Sequence, residues 1–366
     1  MSRSYTLMVM AGGTGGHVYP AMAVADALHA QGWKIVWLAT EGGMENRLIV
    51  DKPYDKAMMT MRGVRGKGLL GWLTLPVKLV RAFAQARQAI RQHQPDVVLG
   101  MGGFAAFPGG VMARLAGVPL VIHEQNSIAG LTNKVLAKIA HRVLTGFPGA
   151  LGTKGEMVGN PVREGITTLP TPEQRFAEHH GVLRVLVVGG SLGAVALNTL
   201  LPQAFAQLPV NARPQIIHQA GEKQFEALKK AYADAGVAAD CRAFIHDMAE
   251  VYAWADLVIC RAGALTVAEL ANVGAASILV PFPFAVDDHQ TTNAAYLQQA
   301  GAALLIQQRD MDVAQLAATL QMLDRPTCLA MAQKARALAR PQATQQVAQI
   351  CQQLATGNKK GTPGSA

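Results

Sequence analysis

The stretch that decides the fold reads Ala11-Gly12-Gly13-Thr14-Gly15-Gly16-His17-Val18-Tyr19-Pro20. It follows Tyr5–Met10, a short apolar run that indicates a buried parallel strand, and it precedes apolar residues at helical spacing that end near Gly32. Glycine permits a tight turn and the close approach of a ligand, and the first N–H groups of a helix are unpaired and partly positive. The order strand, glycine turn, helix therefore predicts either an anion site or a turn whose glycines serve packing alone.

A second copy of this unit lies about half a chain later. Arg184–Val188 is again a short apolar run, and Gly189-Gly190-Ser191-Leu192-Gly193-Ala194 and a helical pattern follow it. The repetition indicates that one fold unit is used twice, and it favours the anion site over simple packing in both copies.

Composition limits the class of protein. A length of 366 residues suits two domains, and a net charge of +9 favours an anionic partner without choosing among nucleotide, nucleic acid and membrane. No apolar run reaches the ~18–20 residues of a membrane span and the N-terminus lacks a signal-peptide core, so we expect a cytoplasmic protein. The four cysteines are scattered and fit no metal-ligand spacing, so we expect them to be reduced.

Strand-like runs alternate with helical patterns or glycine loops through both halves, which predicts an α/β fold with doubly wound parallel sheets. In the first half the further runs are Lys34–Ala39, Ala57–Met61, Val97–Gly100, Leu120–His123 and Arg142–Thr145. In the second half they are Gln215–Gln219, Cys241–Ile245, Leu257–Cys260, Ser277–Val280 and Ala303–Ile306. We expect two similar domains that face one another across a cleft.

The domain boundaries follow from where this pattern stops and restarts. We expect an N-terminal domain over residues 1–162 and a C-terminal domain over residues 163–340. A helix over residues 341–355 is expected to pack back on the N-terminal domain, and residues 356–366 are too polar to fold.

Two further segments of the first half follow strands of the predicted sheet. Gly100–Gly110 is dense in glycine, and His123–Gly130 begins with His-Glu-Gln-Asn. Ligands of such sheets bind at the carboxyl ends of the strands. The glycine-dense segment is either a flexible turn or part of a pocket shared with the opening glycine loop, and its position beside that loop favours the shared pocket.

The most informative stretch of the second half is Cys260–Leu270, which follows a strand and opens a helix. Backbone N–H groups near Gly263–Thr266 are suited to cradle a diphosphate. Glu269 can accept two hydrogen bonds from vicinal ribose hydroxyls, or it can merely complement the helix dipole. The next loop, Pro281–Ala294, bunches polar groups before a helix, which is typical of a helix cap or of a reader of sugar hydroxyls.

Taken together, six ordered motifs resemble the MurG family, the peptidoglycan N-acetylglucosaminyltransferases. The motifs are Gly12–His17, His123–Asn126, Gly159–Arg163, Gly189–Ala194, Gly263–Glu269 and Asp288–Ala294. The resemblance runs from the first strand to the helix after Asn293. It implies a GT-B glycosyltransferase fold with two Rossmann-like domains, and a protein peripheral to the cytoplasmic face of the inner membrane.

The activity implied is the inverting transfer of N-acetylglucosamine from UDP-N-acetylglucosamine to the 4-hydroxyl of the muramoyl residue of undecaprenyl-pyrophosphoryl-muramoyl-pentapeptide. This is the conversion of lipid I to lipid II in peptidoglycan synthesis. The resemblance assigns UDP-N-acetylglucosamine mainly to the C-terminal domain. The Ile245 backbone is implied to read the uracil, and Glu269 the ribose. The implied diphosphate contacts are Arg163, Ser191, Ala264, Leu265 and Thr266, and Val267 and Ala268 are implied to bind the substrate without an assigned part of it. Gln290 and Asn126 are implied to bind the sugar hydroxyls.

Thr14, Gly15 and Gly16 are implied to close on the donor from the other domain. The family often has Ser at the position of Ala262, and some members have Gln at that of His289, so neither position has an assigned contact.

An inverting transfer needs a base for the acceptor hydroxyl, and the sequence offers His17 and Glu124. His17 stands at the start of the first helix, where the positive end of the dipole disfavours a charged imidazole, so we expect it to be the base or an acceptor-orienting group. It is also suited merely to bind the loop or a donor phosphate. Glu124 is the second candidate for the base.

No metal site is expected. Asp310-Met311-Asp312 is the only Asp-x-Asp in the chain, and Asp312 precedes a helical pattern, which favours an N-cap. Helix N-termini and Arg163 would then carry the charge of the leaving UDP, so no cofactor is implied.

Residues 62–83 combine basic side chains with an apolar cluster, which suits either an anionic membrane surface or a core helix with a solvated basic edge. A lipid-linked acceptor favours the membrane surface, and we expect no nucleic acid partner. The expected membrane contacts are Arg62, Arg65, Lys67, Trp72, Lys78, Arg81 and Phe83.

Three alternatives remain. An NAD-dependent oxidoreductase would use Glu41 for the ribose, but the glycine turn lacks the third glycine of G-x-G-x-x-G. A UDP-N-acetylglucosamine 2-epimerase would share the fold and the donor without needing the basic apolar segment. A protein that only binds a nucleotide sugar or a lipid is the third.

Overall fold

Two parallel β-sheets organise the chain in a computed structural model that describes residues 4–60, 75–190 and 193–357. The chain divides into two compact units. Unit 1 comprises Met1–Arg163 with Pro341–Ala366, and unit 2 comprises Glu164–Arg340. The predicted class, α/β with parallel sheets in two domains, is confirmed.

Unit 1 contains a seven-stranded sheet in the order β3-β2-β1-β4-β5-β6-β7. Its strands are β1 Thr6–Ala11, β2 Lys34–Thr40, β3 Asp55–Met59, β4 Val97–Gly102, β5 Leu120–Glu124, β6 Arg142–Thr145 and β7 Glu156–Met157. The first strand is buried along its whole length, as its continuous apolar sequence predicts.

Helices cover both faces of this sheet. They are α1 Gly15–His29, α2 Glu45–Leu48, α3 Leu75–His93, α4 Ala106–Leu115, α5 Leu131–Leu136 and, after unit 2, α15 Ala343–Gly357. One core contains α1 and α15, and the other contains α3 and α4. The C-terminal helix extends past its expected end at Ala355 to Gly357, and the remainder of the expected tail lies outside the described residues.

Unit 2 contains a six-stranded sheet in the order β10-β9-β8-β11-β12-β13. Its strands are β8 Arg184–Val188, β9 Gln215–Gln219, β10 Asp240–Arg242, β11 Leu257–Cys260, β12 Ala276–Leu279 and β13 Ala303–Leu305. The expected strand Cys241–Ile245 is wrong at its end, because the chain leaves the sheet after Arg242. Ile245 therefore lies in a loop, with its side chain turned into the protein.

The helices of unit 2 are α6 Glu164–Thr167, α7 Pro172–Ala177, α8 Val195–Ala206, α9 Phe225–Asp234, α10 Met248–Trp254, α11 Ala264–Val273, α12 His289–Gln299, α13 Val313–Met322 and α14 Arg325–Ala337. Short 3₁₀ turns are Gly152–Lys154 in unit 1 and Val210–Ala212, Glu222–Gln224, Val286–Asp288 and Gln308–Asp310 in unit 2. Within the described ranges, no helix is both long and apolar enough to cross a bilayer.

Both sheets reverse their strand order at corresponding places. The reversal lies between β1 and β4 in unit 1 and between β8 and β11 in unit 2. The crevice at the carboxyl ends of such a strand pair is where ligands bind in open parallel sheets. The fold thus brings the loops after β1 and β4 together in unit 1, and the loops after β8 and β11 together in unit 2.

Candidate functional site

The glycine loop after β1 is packed tightly at its base and open at its tip. A Cβ atom on Gly12 would lie 3.0 Å from both carboxylate oxygens of Glu45, which is itself buried and accepts hydrogen bonds from Thr40. Gly13 has a φ of +89°, a value that glycine adopts without strain. Thr14 is exposed at the N-cap of α1 and makes no capping hydrogen bond with its side chain.

The N-terminal end of α1 presents Gly15 and Gly16 as its first residues, and the first helical hydrogen bonds run from His17 and Val18 to the Thr14 carbonyl. The N–H groups of Gly15 and Gly16 therefore come before the first hydrogen bonds of the helix, as an anion site requires.

His17 lies where the two switch-point loops meet. Its ring packs against Gly102, the last residue of β4, so closely that a Cβ there would lie 3.0 Å from the His17 Cε1 atom. Gly102 also has a φ of +108°, so both space and backbone conformation select glycine. The half-buried His17 ring bonds through Nδ1 to the Oε1 atom of Gln125, at 2.6 Å.

His123 and Gln125 form a buried network behind His17. The Nε2 atom of His123 lies 2.9 Å from the Gly159 carbonyl oxygen, and its Nδ1 atom lies 3.0 Å from the Nε2 atom of Gln125. Burial is the main cause that lowers the pKa of His123 to about 4, so this imidazole is neutral at physiological pH.

Glu124 is a scaffold for the loop that follows β5. Its carboxylate is buried and accepts four hydrogen bonds: from the Asn126 backbone and side chain at 2.9 and 3.4 Å, from the Gly130 backbone at 3.1 Å, and from the Asn133 side chain at 2.9 Å. Asn126 is half-buried and held by this contact. Glu124 thus has its acceptor positions occupied by the protein, whereas the Nε2 edge of His17 is not part of the buried network.

Arg163, the last residue of unit 1 before the chain enters unit 2, is exposed beside the start of α1. Its guanidinium carbon lies 5.8 Å from the centroid of the Tyr19 ring. A Cβ atom on Gly15 would in turn meet the Tyr19 ring at 3.1 Å. Tyr19 therefore lies between the cation and the glycine turn.

In unit 2, the turn after β11 leads directly into α11. Gly263 is the N-cap, and Ala264, Leu265 and Thr266 form the first turn. Val267 donates its N–H to the Gly263 carbonyl at 3.0 Å and buries its side chain completely. The backbone of residues 264–266 is thus the part of this segment suited to an anion, and Val267 and the next residue, Ala268, continue the helix.

Glu269 lies further along α11 and is buried. Its Oε2 atom accepts a hydrogen bond from the Tyr252 hydroxyl at 3.1 Å. Burial, and secondarily the Glu269 charge, raises the pKa of the neighbouring Cys260 to about 12. A carboxylate held in this way has a fixed orientation.

The loop before α12 has a strained end. Asp287 and Asp288 have φ values of +53° and +50°, which side-chain-bearing residues rarely adopt. The Oε1 atom of Gln290 accepts a hydrogen bond from the Phe282 backbone at 2.9 Å, and this bond directs the amide nitrogen of Gln290 away from that contact.

Arg261 is a residue that sequence analysis did not single out. Its guanidinium donates to the carbonyls of Val280 and Pro281 at 3.2 and 3.1 Å and to the Gln308 side chain at 2.6 Å. It also lies 5.7 Å from the centroid of the Phe282 ring. The sequence signal that could have identified it is a cation directly after a buried strand. In the structure, Arg261 joins the loops that follow β11 and β12.

Ile245 lies between Phe244 and His246, whose rings meet edge to face at 4.9 Å. Among the other expected site residues, Ser191 lies outside the described residues. His289 is half-buried at the start of α12.

Within residues 4–60, 75–190 and 193–357, no cluster of three or more His, Cys, Asp or Glu side chains is arranged to hold a metal ion. Asp312 accepts a hydrogen bond from the Gln315 backbone at 2.8 Å and is the N-cap of α13, which confirms the N-cap prediction.

The basic helix α3 presents cations beside exposed apolar side chains. Lys78 and Arg81 are exposed next to Val77 and Val80, whose exposed fractions are 73% and 70%. Phe83 is half-buried and packs edge to face on Phe107, and its membrane contact stays a prediction. The expected contacts Arg62, Arg65, Lys67 and Trp72 lie outside the described residues.

Comparisons with known proteins agree on one family. Residues 7–145 match the glycosyltransferase family 28 N-terminal domain, and residues 184–354 match the corresponding C-terminal domain. A curated relative from Azoarcus sp. strain BH72 is 58% identical over 97% of this chain and 99% of its own length. It is named UDP-N-acetylglucosamine--N-acetylmuramyl-(pentapeptide) pyrophosphoryl-undecaprenol N-acetylglucosamine transferase.

Solved structures are also similar. The crystal structure of Acinetobacter baumannii MurG has a TM-score of 0.85 at 43% identity and covers 95% of this chain and 99% of its own. A putative UDP-N-acetylglucosamine 2-epimerase from Listeria monocytogenes has a TM-score of 0.64 at 13% identity, covering 100% of this chain and 99% of its own. That second likeness concerns the fold alone.

The titration of His123 makes the stability of unit 1 depend on pH. Its folded pKa of about 4 lies below the ordinary imidazole value of about 6.5, so its contribution is complete above pH 6.5 and is lost as the pH falls towards 4. We expect this group to lower the free energy of unfolding by about 2 kcal/mol between pH 8 and pH 5. Urea unfolding in a Trp254→Phe background measures this, because the remaining tryptophans, Trp33, Trp37 and Trp72, all belong to unit 1.

The free energy of unfolding of His123→Phe should differ between pH 8 and pH 5 by about 2 kcal/mol less than that of the parent protein, whatever the effect of the substitution on stability at pH 8. Val121→Ala, in the same strand, is the matched control, since it creates a cavity without removing a titrating group and should lower stability equally at both pH values. If the free energy of unfolding of His123→Phe changes between pH 8 and pH 5 as much as that of the parent protein, His123 is not the group responsible.

Proposed function

Because this chain belongs to glycosyltransferase family 28, we propose that it transfers N-acetylglucosamine from UDP-N-acetylglucosamine to undecaprenyl-pyrophosphoryl-muramoyl-pentapeptide. The product is the lipid-linked disaccharide pentapeptide used in peptidoglycan synthesis. The relatives' names support the transferase over the epimerase and the oxidoreductase, and over a protein that binds without catalysis.

The observation that carries the donor assignment is the pairing of a helix N-terminus with a buried carboxylate on the same helix. In α11 the backbone of residues 264–266 is suited to a diphosphate, and Glu269 is suited to the adjoining ribose. The loop at Ile245, with its aromatic neighbours, would receive the uracil. Gln290 and Asn126 would bind sugar hydroxyls, Gln290 through the amide nitrogen that the Phe282 contact leaves available.

Departure of UDP needs stabilisation of the charge that develops on the diphosphate. We assign this to the N-termini of α11 and α1, the latter through Thr14, Gly15 and Gly16, and to Arg163 and Ser191. Each helix terminus contributes ~0.3–1 kcal/mol, and charge-assisted bonds from an arginine about 1.5–3 kcal/mol. These terms reach several kcal/mol together, so the proposed reaction proceeds without a metal ion.

For the base we propose His17, with Glu124 as the second candidate. His17 is half-buried at a loop that also carries the proposed phosphate contacts, so a bound acceptor hydroxyl could approach its ring. The Glu124 carboxylate accepts four hydrogen bonds from its own loop, which favours a role in holding that loop over a role as the base.

The acceptor carries an undecaprenyl chain, so the reaction must take place at a membrane surface. We propose peripheral binding at the cytoplasmic face of the inner membrane, where nucleotide sugars are available. Lys78 and Arg81 would contact anionic lipid, and the exposed Val77 and Val80 would add apolar area.

Replacing Glu269 by Ala should raise the KM for UDP-N-acetylglucosamine about 10–150-fold, the loss expected for charge-assisted hydrogen bonds of about 1.5–3 kcal/mol. The fall in kcat should be smaller, because the ribose is remote from the reacting carbon. Steady-state kinetics with varied donor measure both. Glu226→Ala, which removes an exposed carboxylate from α9, should leave KM unchanged.

Tyr252→Phe removes the hydroxyl that donates to Glu269 but keeps the carboxylate. It should therefore have a smaller effect on KM than Glu269→Ala. If Glu269 serves only to satisfy Tyr252, the two variants will lose stability alike and bind the donor normally, and the ribose role fails.

His17→Ala should lower kcat by about 10²–10⁴-fold, the range for loss of a general base, as measured by UDP release that depends on added lipid acceptor. Donor affinity by calorimetry should change by less than about 1 kcal/mol, below the contribution of a charge-assisted phosphate contact. His29→Ala, at the other end of the same helix, is the control.

A parallel collapse of donor affinity would instead make His17 a phosphate ligand. A larger loss of kcat in Glu124→Gln at unchanged donor affinity would reverse the two roles. Absence of any acceptor-dependent UDP release by the parent protein would refute the transferase itself.

Reversing the charges of Lys78 and Arg81 to Glu should reduce co-sedimentation with anionic vesicles, since each basic residue near such a surface contributes about 1 kcal/mol. Binding by the parent protein should weaken as salt is added. The matched control reverses Arg87 and Arg91, exposed cations further along α3, with the same change in net charge. Equal sedimentation of the two double variants would exclude this end of α3 as the contact.

A further inference from the structure

We propose that Gln125 and His123 are positioning residues that fix the tautomer of His17. The hydrogen of the neutral imidazole is held on Nδ1, and the lone pair is kept on Nε2. The catalytic consequence rests on the proposed function, in which Nε2 takes the proton of the acceptor hydroxyl. The tautomer itself does not depend on that function.

The first step is the orientation of the Gln125 amide. Its Nε2 atom lies 3.0 Å from the backbone carbonyl oxygen of His123. A carbonyl oxygen can only accept, so the atom facing it must be the NH₂ group, and this contact distinguishes the two ends of the amide. The Oε1 atom then faces His17 Nδ1 at 2.6 Å. Because an amide oxygen is also only an acceptor, the hydrogen between them belongs to His17 Nδ1.

The second step reaches the same orientation independently. His123 Nε2 lies 2.9 Å from the Gly159 carbonyl oxygen, which again can only accept, so His123 carries its hydrogen on Nε2. Its Nδ1 atom is then an acceptor, and the atom 3.0 Å away is Gln125 Nε2. Two backbone carbonyls, those of His123 and Gly159, thus require the same arrangement of the amide.

The network is buried and held from outside. Gln125 and His123 are 1% and 0% exposed, and burial keeps His123 neutral, so it does not gain a second N–H that would oppose the amide. The Asn160 side chain donates to the backbone carbonyl of Gln125 at 3.0 Å, and the Asn133 side chain donates to the backbone carbonyl of His123 at 3.2 Å. Gly159 and Asn160 therefore help to hold His123 and Gln125 in place, and through them His17.

The carboxylate of Glu124, which lies between His123 and Gln125 in the sequence, does not take part in the hydrogen bonds that join His17, Gln125 and His123. Glu124 directs both carboxylate oxygens to the loop of residues 126–133. Behind the His17 ring lies Gly102, which has no side chain to compete for its nitrogens. The opposite tautomer of His17 would bring the lone pairs of Nδ1 and Gln125 Oε1 face to face at 2.6 Å.

The test is the tautomer of His17 in the full-length protein. Ring nitrogens are labelled with ¹⁵N-histidine, and long-range ¹H–¹⁵N correlation spectra are recorded at about pH 8.5, above the ordinary imidazole pKa of about 6.5. His17→Gln and His123→Phe identify the two sets of signals by their disappearance. We expect His17 to be protonated on Nδ1 and His123 on Nε2. His17 protonated on Nε2 would overturn the proposal.

Gln125→Met removes the acceptor and should let His17 populate the Nε2–H tautomer. Its kcat should fall about 10-fold, less than the 10²–10⁴-fold of a lost base, because part of the population keeps the productive tautomer. Donor affinity should not change. Met101→Leu is the control, because it alters only the sulfur that lies 3.8 Å from Gln125 Nε2 and should preserve tautomer and kcat.

A lower kcat in Gln125→Met with an unchanged His17 tautomer would reduce Gln125 to a structural residue and overturn the proposal. If Gln125→Met does not fold, the spectrum of the parent protein decides alone. If that spectrum is as expected but the parent releases no UDP to lipid acceptor, the proposed function fails and the tautomer assignment stands.

Discussion

The backbone of Gly103 lies directly against the backbone of Gly12, and the candidate site of unit 1 depends on this contact. A Cβ atom on Gly103 would lie 2.6 Å from the Gly12 carbonyl oxygen, a distance that no side-chain-bearing residue could accommodate without moving the loops apart. The contact brings the ends of β1 and β4 together at the point where the strand order reverses. The same closeness allows the ring of His17 to rest on Gly102.

The two units have corresponding strand orders but carry different side chains at the point where the order reverses. In unit 1 the switch point carries an imidazole and an amide that are joined by a hydrogen bond, and an imidazole can accept a proton. In unit 2 it carries charge: Arg261 joins two loops, and the buried Glu269 is fixed by Tyr252. A reaction that needs a proton acceptor and a place for an anionic leaving group can divide these tasks between two copies of one fold.

Sequence reasoning predicted what depends on local pattern. Buried strands such as β1 and the helix start at Gly263 follow from apolar runs and glycine turns, and the structure contains both. It could not predict what depends on distant partners. The role of Gln125 could not be predicted because its partner His17 lies 108 residues away in the chain. The end of β10 was wrong because an apolar residue such as Ile245 is buried as readily by a loop as by a strand.

The C-terminal helix α15 has a consequence for how the chain is made. Val347 and Cys351 complete a core whose other members, such as Val18 and Leu28, lie near the beginning of the chain. Unit 2, by contrast, is contiguous in sequence. During synthesis domains generally fold in the order in which they emerge from the ribosome. In this chain the residues of α15, which complete a core of unit 1, are synthesised after the whole of unit 2, so unit 2 has all of its residues before unit 1 does.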